Sequence, residues 1–292
     1  MQALYDLPSP AKLNLFLHVV GRRDDGYHLL QSAFVLIDWC DTLHVERRSD
    51  ARLARRDLGD MLPADDLCLR AAAALQRASG TTYGADISIE KRLPSGAGMG
   101  GGSSDAATTL LALNRLWSLD WPRSRLMAIG LALGADVPFF LGGANAFVEG
   151  IGERLTPIGL PRQWLAVVKP QAAVATRSIF ANPLLRRNTE PVILAGFLAD
   201  PSVRQGFGPG AFGRNDMQPP AQSQCAEIAD AARWLEARFG NSRMTGSGSA
   251  VFAGAGTGAE PARPMPEDPA TGWVTRMCRS LEHHPLRDFA EG

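Results

Sequence analysis

The sequence predicts an α+β protein built in two halves that join near residue 158. Three observations support this fold class: alternating apolar and polar residues indicate strands in both halves, Ala/Leu-rich stretches indicate helices, and Pro157 and Pro161 indicate a connection. The chain has 292 residues, 45% hydrophobic and 21% charged, so it can bury one large core or two packed ones. We therefore assign 1–158 and 159–292 as two domains.

In the first half, strict alternation over residues 11–19 predicts a strand with one polar face. Residues 32–45 indicate a second strand, and residues 85–90 alternate as a third. An Asp-rich start followed by an Ala/Leu-rich run predicts a helix over 65–78. Another helix is predicted over 104–117, directly after a glycine-rich loop.

In the second half, residues 164–168 indicate a strand, and the Gly- and Pro-rich residues 201–220 indicate a loop. A helix is predicted over 222–239, followed by a glycine turn and a strand over 244–253. A last strand is predicted over 273–281. Four prolines lie between these last two strands and make a helix there improbable.

Composition and charge exclude several classes of protein. The chain carries 30 Lys plus Arg and 30 Asp plus Glu, so we expect no nucleic-acid partner, which would require many phosphates to be neutralised. The N-terminus lacks the signal-peptide pattern and no apolar run approaches the ~20 residues that span a bilayer, so we expect no membrane partner. The cysteines form no CxxC pair, which favours reduced thiols in the cytoplasm; they are Cys40, Cys68, Cys225 and Cys278.

The most informative segment is LPSGAGMGGGSSDA, residues 93–106, which places five glycines between Gly96 and Gly102. Glycines let the backbone turn tightly and approach a ligand without a Cβ clash. The helix that follows offers unpaired N–H groups and a partial positive charge at its N-terminus. Together these features predict a phosphate cradle, in which Ser103 and Ser104 could hold phosphate oxygens or help to position Mg²⁺.

Three other interpretations of this loop were weighed. A flexible Gly/Ser linker is disfavoured because strand and helix patterns adjoin the loop on both sides. A P-loop is excluded because the lysine of GxxxxGK[ST] is missing. A dinucleotide fingerprint can be drawn through Gly96, Gly98 and Gly101, but Asp120, at the distance where its acidic residue belongs, has no strand leading into it.

Lys12 and Asp136 pose a common problem of charge in apolar surroundings. Asp136 lies in LGADVPFFLGG, where Pro138 prevents a helix from continuing through it, and Lys12 lies on the first strand. A buried carboxylate is costly unless a cation or hydrogen-bond donors meet it. If the two residues meet, the lysine keeps the aspartate ionised and able to accept a proton from a hydroxyl. Separate solvation, or a purely structural pair, is the alternative.

The chain resembles the GHMP kinases over most of its length, and four segments carry the resemblance. They are residues 8–28, which include a Gly-Tyr-His sequence, residues 93–106, residues 133–153 and residues 244–253. Within this superfamily the chain resembles the branch that phosphorylates the 2-hydroxyl of a cytidine-diphosphate-linked methylerythritol in the non-mevalonate (MEP) route to isoprenoid precursors. That substrate, ATP and Mg²⁺ are the ligands that the resemblance implies, and we expect a monomer or weak homodimer.

The resemblance also implies the fold and the nucleotide site. The expected fold is an N-terminal ribosomal-protein-like ATP-binding domain followed by a C-terminal ferredoxin-like domain that contributes to substrate binding. No dedicated metal site is expected in the protein. The implied ATP-binding residues are Pro94, Ser95, Gly96, Ala97, Gly98, Met99, Gly100, Gly101, Gly102, Ser103 and Ser104.

Roles at the reacting hydroxyl follow from the same resemblance. Asp136 is the base that takes the proton of the 2-hydroxyl, and Lys12 holds Asp136 ionised and steadies the hydroxyl or the γ-phosphate. Asn14 hydrogen-bonds the methylerythritol. Phosphoryl transfer of this kind depends mainly on positioning and on stabilisation of charge.

The resemblance further assigns a cytidine site. Tyr27 and Phe180 sandwich the cytosine, His28 recognises its polar edge, and Thr176 lies near the substrate. Stacking tolerates any base, so discrimination must come from hydrogen bonds at that edge.

Two segments depart from the family pattern. Asp65-Asp66-Leu67 stands where relatives usually have Asp/Glu-Asn-Leu near the adenine, so nucleotide affinity or base preference could differ. The proline-rich residues 256–271 replace a helix that is expected after the third glycine motif.

Two other functions remain to be discriminated. Another GHMP small-molecule kinase, acting on homoserine or mevalonate, would lack the Gly-Tyr-His sequence, which is present here. A nucleotide-binding module without catalysis would have lost Lys12 or Asp136, and both are present.

Overall fold

The first half of the protein is a sheet covered by helices. A computed structural model describes residues 1–265 and 272–291 of the chain. The elements of this half are β1 (Ala3–Arg22), β2 (His28–Arg48), β3 (Leu53–Asp57), α1 (Leu67–Ser79), β4 (Gly84–Glu90), α2 (Gly101–Leu116), α3 (Arg123–Leu133), α4 (Val137–Gly142), β5 (Ala146–Glu149) and β6 (Arg154–Pro157).

The second half has shorter strands and more helical turns. Among the described residues, none of the helices in either half combines the length and apolarity needed to cross a bilayer. The elements are β7 (Trp164–Lys169), α5 (Thr176–Ala181), α6 (Leu194–Ala199), α7 (Pro201–Gln205), α8 (Gln218–Gln224), α9 (Ala226–Phe239), β8 (Arg243–Met244), β9 (Val251–Gly254), β10 (Val274–Leu281) and a 3₁₀ turn (Arg287–Phe289).

Strand β2 is the centre of the sheet. It pairs antiparallel with β1, β4, β5 and β10, while β3 adds in parallel at the outer side of β4. On the far side of β10 the order continues through β7, β9 and β8. The strands of the two halves therefore form one continuous sheet, and the expected mixed α+β content is confirmed.

The polar face predicted on the first strand exists, but it is buried. Lys12, Asn14 and His18 are 3%, 1% and 5% exposed. Helix α2 and the second half of the chain cover β1, and the backbone N–H of Leu17 donates to the carbonyl of Arg214 at 2.9 Å. These three polar side chains therefore face protein interior, where each needs a partner.

The prediction of a loop over residues 201–220 is wrong in part, because α7 and the start of α8 lie within it. Prolines occupy the first turn of both helices, where a missing N–H removes no helical hydrogen bond. The helix predicted over 222–239 is two helices, α8 and α9, separated at Cys225, whose backbone is extended. In the proline-rich segment, residues 266–271 lie outside the described residues.

The two halves are joined by a short seam between β2 and β10. Ile37 pairs with Ser280 and Leu36 with Leu281. Asn145, only 3% exposed, completes this seam because its side-chain oxygen accepts from the N–H of Leu36 at 2.9 Å and its amide donates to the carbonyl of Leu281 at 2.9 Å. One amide side chain thus hydrogen-bonds a strand from each half.

Apolar packing continues across the same seam. One hydrophobic cluster combines residues of β1 and β2 with residues of β7, β9, β10 and α6. Its largest members include Phe16, Phe147, Phe197 and Phe252, each at most 1% exposed. The halves therefore share a core, which fixes the position of one relative to the other.

Asn145→Ala is expected to destabilise the whole protein. It leaves a buried N–H on Leu36 and a buried carbonyl on Leu281 without partners, and each such group costs ~1–3 kcal/mol. We expect the free energy of unfolding, measured by urea titration with circular dichroism, to fall by roughly 2–4 kcal/mol. Exposed Asn188→Ala is the control; equal stability of both variants would contradict the proposed role of the seam.

Candidate active site

The glycine-rich loop needs glycine at two positions in particular. Gly98 and Gly100 have φ angles of 74° and 73°, in the left-handed region that side chains disfavour. A Cβ on Gly98 would lie 2.3 Å from the carbonyl oxygen of Thr245, and one on Gly100 would lie 3.0 Å from the ring of Phe140. Gly100 is also the N-cap of α2, so the loop delivers the chain directly into that helix.

The third glycine motif, residues 244–253, packs on this loop through its backbone. The N–H of Ser249 donates to the carbonyl of Gly96 at 3.0 Å, and the N–H of Ala250 donates to that of Ala97 at 3.1 Å. Two segments about 150 residues apart in the sequence are thereby held in one rigid unit. The close approach at Gly98 is a direct consequence of this pairing.

A first cavity, of about 290 Å³, opens over the glycine loop. The loop contributes every predicted nucleotide-binding residue from Pro94 to Gly102, and the N-terminus of α2 points its free N–H groups to the same side. The remaining wall is apolar and acidic in character and is formed by Leu62, Pro63, Asp66, Leu67, Cys68, Lys91, Leu93 and Asp105. This combination suits a phosphate chain attached to a flat ring.

Ser103 and Ser104 lie outside the lining of this cavity. The hydroxyl of Ser104 is fully buried, donates to the carbonyl of Pro10 at 2.6 Å and accepts from the hydroxyl of Ser9 at 2.9 Å. In this structure it joins α2 to β1. Ser103 is half-buried, and its oxygen lies 3.8 Å from the position that a Cβ on Gly134 would take, close to the segment that carries Asp136.

Arg55 organises the segment before α1. Its guanidinium contacts the carboxylates of Asp57 at 2.7 Å and Asp66 at 2.9 Å and donates to the carbonyls of Leu62 and Pro63. Asp66 also caps α1 by accepting from the N–H of Leu69 at 3.0 Å. The carboxylate of Asp66, where the family usually has asparagine, is therefore paired with the guanidinium of Arg55. Sequence reasoning missed this arginine.

A buried ion cluster lies beneath the loop. The ammonium of Lys91 contacts the carboxylates of Asp41 and Asp105, and Asp41 also accepts from the backbone N–H groups of Arg92 and Leu93. Burial raises the pKa of Asp105 to about 7; the Lys91 ammonium opposes this change and the Asp41 carboxylate adds to it. Two carboxylates thus share one cation in the interior.

A second cavity, of about 240 Å³, lies on the other side of the glycine loop. Gly98 and Gly100 are the residues that line both cavities. The other lining residues are Lys12, Asn14, Leu17, Leu30, Ser32, Phe34, Asp136, Val148, Ile151, Gly152, Thr176, Phe180, Met217, Gly246 and Ser247. The two cavities therefore meet next to Lys12 and Asp136.

The expected contact between Lys12 and Asp136 is confirmed. The Nζ of Lys12 lies 3.6 Å from the Oδ2 of Asp136, and the two side chains are 4% and 31% exposed. Asp136 directly precedes α4, whose first turn contains Pro138. The ammonium also lies 4.5 Å from the centre of the Phe34 ring, so a cation–π contact adds to the ion pair.

Asn14 is held between Lys12 and the third glycine motif. Its Oδ1 accepts from Lys12 Nζ at 2.6 Å and from the Thr245 hydroxyl at 3.2 Å, while its Nδ2 donates to the Ser32 hydroxyl at 2.9 Å. These contacts fix the orientation of the amide. Ser32 and Thr245 are site residues that sequence reasoning missed, because nothing local to a lone hydroxyl signals its position.

Of the aromatic residues predicted to hold a base, Phe180 lines the second cavity, whereas Tyr27 and His28 are not part of its lining. Phe180 is stacked on the imidazole of His28, with centroids 4.6 Å apart and planes inclined by 17°. Tyr27 lies on the turn between β1 and β2 and is 62% exposed. The hydroxyl of Thr176 is 2.7 Å from that of Ser247, which sequence reasoning also missed.

We searched the described residues for a protein metal site. Within 1–265 and 272–291, no group of three or more His, Cys, Asp or Glu residues is arranged to hold a metal ion. The carboxylate of Asp136 lies where the two cavities meet, is partly exposed, and offers oxygen atoms that could bind a metal ion.

Curated sequences similar to this chain cover nearly its whole length. The family "GHMP kinases N terminal domain" matches residues 66–144. A 4-diphosphocytidyl-2-C-methyl-D-erythritol kinase of Methylibium petroleiphilum is 62% identical over 292 residues, with 99% of each chain covered. One from Variovorax paradoxus, with the same name, is 55% identical over 297 residues, covering 99% of this chain and all of the relative.

Solved structures extend the comparison to the fold. A crystal structure of 4-(cytidine 5′-diphospho)-2C-methyl-D-erythritol kinase superposes with a TM-score of 0.76 at 32% identity, covering 94% of this chain and 99% of that one. The homoserine kinase of Cytophaga hutchinsonii superposes with a TM-score of 0.70 at 15% identity, covering 97% and 96%. The second likeness concerns the fold alone.

Asp105→Asn is expected to change how stability depends on pH. Because the pKa of Asp105 is raised to about 7 in the folded protein, the folded state binds more protons than the unfolded state between pH ~4 and ~7. The contribution of Asp105 to the free energy of unfolding of the wild type should therefore decrease as the pH rises through this range, and the variant should lack this contribution.

Urea titrations at pH 5 and pH 8 measure this effect. We expect the variant to gain stability relative to the wild type on going from pH 5 to pH 8, whereas exposed Asp65→Asn should not. If the free energies of unfolding of wild type and Asp105→Asn differ by the same amount at both pH values, the raised pKa of Asp105 is contradicted.

Proposed function

The chain belongs to the 4-diphosphocytidyl-2-C-methyl-D-erythritol kinases, within the GHMP kinases, and we propose that it transfers the γ-phosphoryl of ATP to the 2-hydroxyl of 4-(cytidine 5′-diphospho)-2-C-methyl-D-erythritol. One observation carries this proposal: a phosphate-binding cavity and a second cavity meet at Gly98 and Gly100, beside the Lys12–Asp136 pair. That arrangement brings a nucleotide and an alcohol to a common point. The reaction is a step of isoprenoid precursor biosynthesis.

Asp136 is the proposed general base. Its carboxylate is the accessible member of the ion pair, so it can accept the proton of the substrate 2-hydroxyl as the oxygen attacks the γ-phosphorus. The bond from that phosphorus to the bridging oxygen of ADP breaks, and ADP leaves. Lys12, whose ammonium lies 3.6 Å from this carboxylate, would stabilise negative charge on the transferred group during the step.

The nucleotide binds with its phosphates on the glycine loop and the N-terminus of α2, in this proposal. Backbone N–H groups from Ser95 to Gly102 surround that part of the first cavity. ATP would bring Mg²⁺, which favours oxygen ligands, and Asp136 and Ser103 are the oxygen donors that could hold it. When bound, this ion neutralises charge on the phosphates. The apolar wall at Leu62, Leu67 and Cys68 suits the base.

The second cavity is proposed to hold the acceptor. Asn14, whose amide orientation is fixed by three hydrogen bonds, would bind the methylerythritol next to Asp136. Tyr27 and Phe180 would enclose the cytosine, and His28 would recognise its polar edge. Thr176 lines the cavity between these two regions and would contact the linker.

We also propose the domain architecture, the cellular location and the partners of the protein. Residues 1–158 would form a ribosomal-protein-like ATP-binding domain and residues 159–292 a ferredoxin-like domain. A further apolar cluster supports this division, since most of its residues come from the second half, although Leu17 and Val19 of β1 also belong to it. The four cysteines are free thiols, which supports a cytoplasmic location. Equal numbers of acidic and basic residues support action on a small molecule without nucleic-acid or membrane partners, as a monomer or weak homodimer.

Asp136→Asn tests both the reaction and the base. We expect turnover, measured by coupled ADP release with Mg²⁺-ATP and the cytidyl methylerythritol, to fall by roughly 10²–10⁴. Binding of both ligands should persist, because asparagine has nearly the same size. Exposed Asp120→Asn is the matched control and should keep full turnover. Wild-type turnover of homoserine or mevalonate in place of the cytidyl substrate would refute the proposed acceptor.

Asp66→Asn tests the placement of the base. A carboxylate can only accept, so it suits the 6-amino group of adenine, whereas an amide can also donate to the 6-oxo group of inosine. We expect the preference for ATP over inosine triphosphate, as a ratio of kcat/KM, to decrease by roughly tenfold. Asparagine can still cap α1, but it loses the ion pair with Arg55, so the thermal unfolding of the variant is measured alongside the kinetics.

Exposed Asp65→Asn is the control for this measurement and should leave the ratio unchanged. The proposed placement is wrong if Asp66→Asn leaves the ratio at the wild-type value.

A further inference from the structure

Arg187 binds the end of helix α5 with an unusual set of contacts. Its Nη2 donates to the carbonyls of Phe180 at 2.8 Å and Asn182 at 3.1 Å, and its Nη1 donates to the carbonyl of Leu185 at 3.1 Å. Carbonyls at a helix C-terminus have no partner within the helix, and they carry partial negative charge. Arg187 therefore supplies both the missing donors and the complementary charge.

In the part of the chain that the structure describes, residues 1–265 and 272–291, the charge of Arg187 is not used in an ion pair. No carboxylate there lies within 4.0 Å of its guanidinium, whereas other arginines, such as Arg48 and Arg55, do have carboxylate partners. Arg187 is half-buried and donates to three backbone carbonyls. Such an arginine holds the backbone in one conformation, because its planar guanidinium loses little entropy for each hydrogen bond that it forms. The backbone that it fixes is the one that carries Phe180.

His28 is the group against which Phe180 is packed. The two rings are stacked with their centroids 4.6 Å apart, and the buried Nε2 of His28 has no hydrogen-bond partner in the described part of the chain. Two cationic side chains face this imidazole: Arg187, from the segment after α5, and Arg22, at the end of β1. Burial, Arg187 and Arg22, in that order, lower the pKa of His28.

We propose that Arg187 is a positioning residue of the acceptor site, which fixes the backbone that carries Phe180 and so holds the Phe180 ring against His28. This inference rests on the proposed function, in which Phe180 and His28 bind the cytosine. After burial, the charge of Arg187 also helps to lower the pKa of His28. A neutral imidazole offers one donor and one acceptor and can therefore bind either an acceptor atom or the amino group of cytosine, whereas an imidazolium offers only donors. An unpartnered buried nitrogen is also less costly when the ring carries no charge.

Three variants separate the geometric effect from the electrostatic one. Arg187→Lys keeps the charge but replaces the fork by a single ammonium, and Arg187→Gln removes the charge as well. Arg22→Gln removes the other charge near His28 without touching the carbonyls at the end of α5. It also removes the hydrogen bond from Arg22 to the carbonyl of Gly26, in the turn before His28, so its effect on KM bounds what that turn contributes. Exposed Arg186→Gln is the control for a change of charge next to Arg187.

Steady-state kinetics give the first measurement. We expect both Arg187 variants to raise KM for the cytidyl methylerythritol by roughly tenfold, since a misplaced stacking partner weakens binding, with kcat and KM for ATP near their wild-type values. At pH 8, where His28 is neutral in every variant, Arg22→Gln should raise the KM for the cytidyl methylerythritol far less. Arg186→Gln should leave this KM unchanged. An acceptor KM at the wild-type value in both Arg187 variants would overturn the proposal.

NMR of His28 gives a second measurement that needs no turnover. The pKa of His28, followed through its imidazole resonances, should rise in Arg187→Gln and in Arg22→Gln but stay low in Arg187→Lys. Nuclear Overhauser contacts between the His28 and Phe180 rings should weaken in both Arg187 variants and persist in Arg22→Gln. Unchanged titration and ring contacts in Arg187→Gln would overturn the positioning role.

The two measurements also separate this inference from the proposed function. If the wild type does not phosphorylate the cytidyl substrate but His28 responds to Arg187→Gln as expected, the proposed function fails and the positioning of Phe180 and His28 stands. If the wild type is active and neither KM nor the His28 resonances respond, the proposed function stands and the role of Arg187 is excluded.

Discussion

The ammonium of Lys12 is held in the interior on strand β1, and the groups that compensate its charge define where the two cavities meet. Asn14 accepts a hydrogen bond from it, Asp136 lies 3.6 Å away, and the ring of Phe34 covers it. Removing a charge from water costs several kcal/mol, so this set of partners cannot be dispersed without leaving the ion uncompensated. The backbone N–H of Lys12 donates to the carbonyl of Met99, which fixes the glycine loop to the same strand.

The glycine loop depends in turn on a segment far away in the sequence. Its shape is set where the turn at Thr245 comes within van der Waals contact of Gly98, so that no side chain fits between the two. Thr245 also binds the amide of Asn14 through its hydroxyl. One turn of the second half therefore determines the form of the first cavity and the orientation of Asn14 in the second cavity.

Local patterns allowed much of this arrangement to be predicted. Alternation located β1 and β4, glycine spacing located the tight loop before α2, and the charges of Lys12 and Asp136 in apolar surroundings predicted their contact. The features that the sequence did not predict depend on contacts that no local pattern encodes. Ser104 is buried because Pro10 and Ser9 lie opposite it, and Arg55 and Arg187 act through carbonyls of other segments. Prolines 201, 219 and 220 begin helices because first-turn positions need no N–H donor.

The seam between β2 and β10 has a consequence for the order in which the chain acquires its structure. During synthesis β1 and β2 emerge early and can form a hairpin, but β10 is the last of the described strands to leave the ribosome. Until then Leu36 and Ile37 are paired with β1 but not with β10, and the amide of Asn145 can bind only one of its two strands. Such long-range pairing slows folding, and the shared core between the halves can close only after nearly the whole chain has been made.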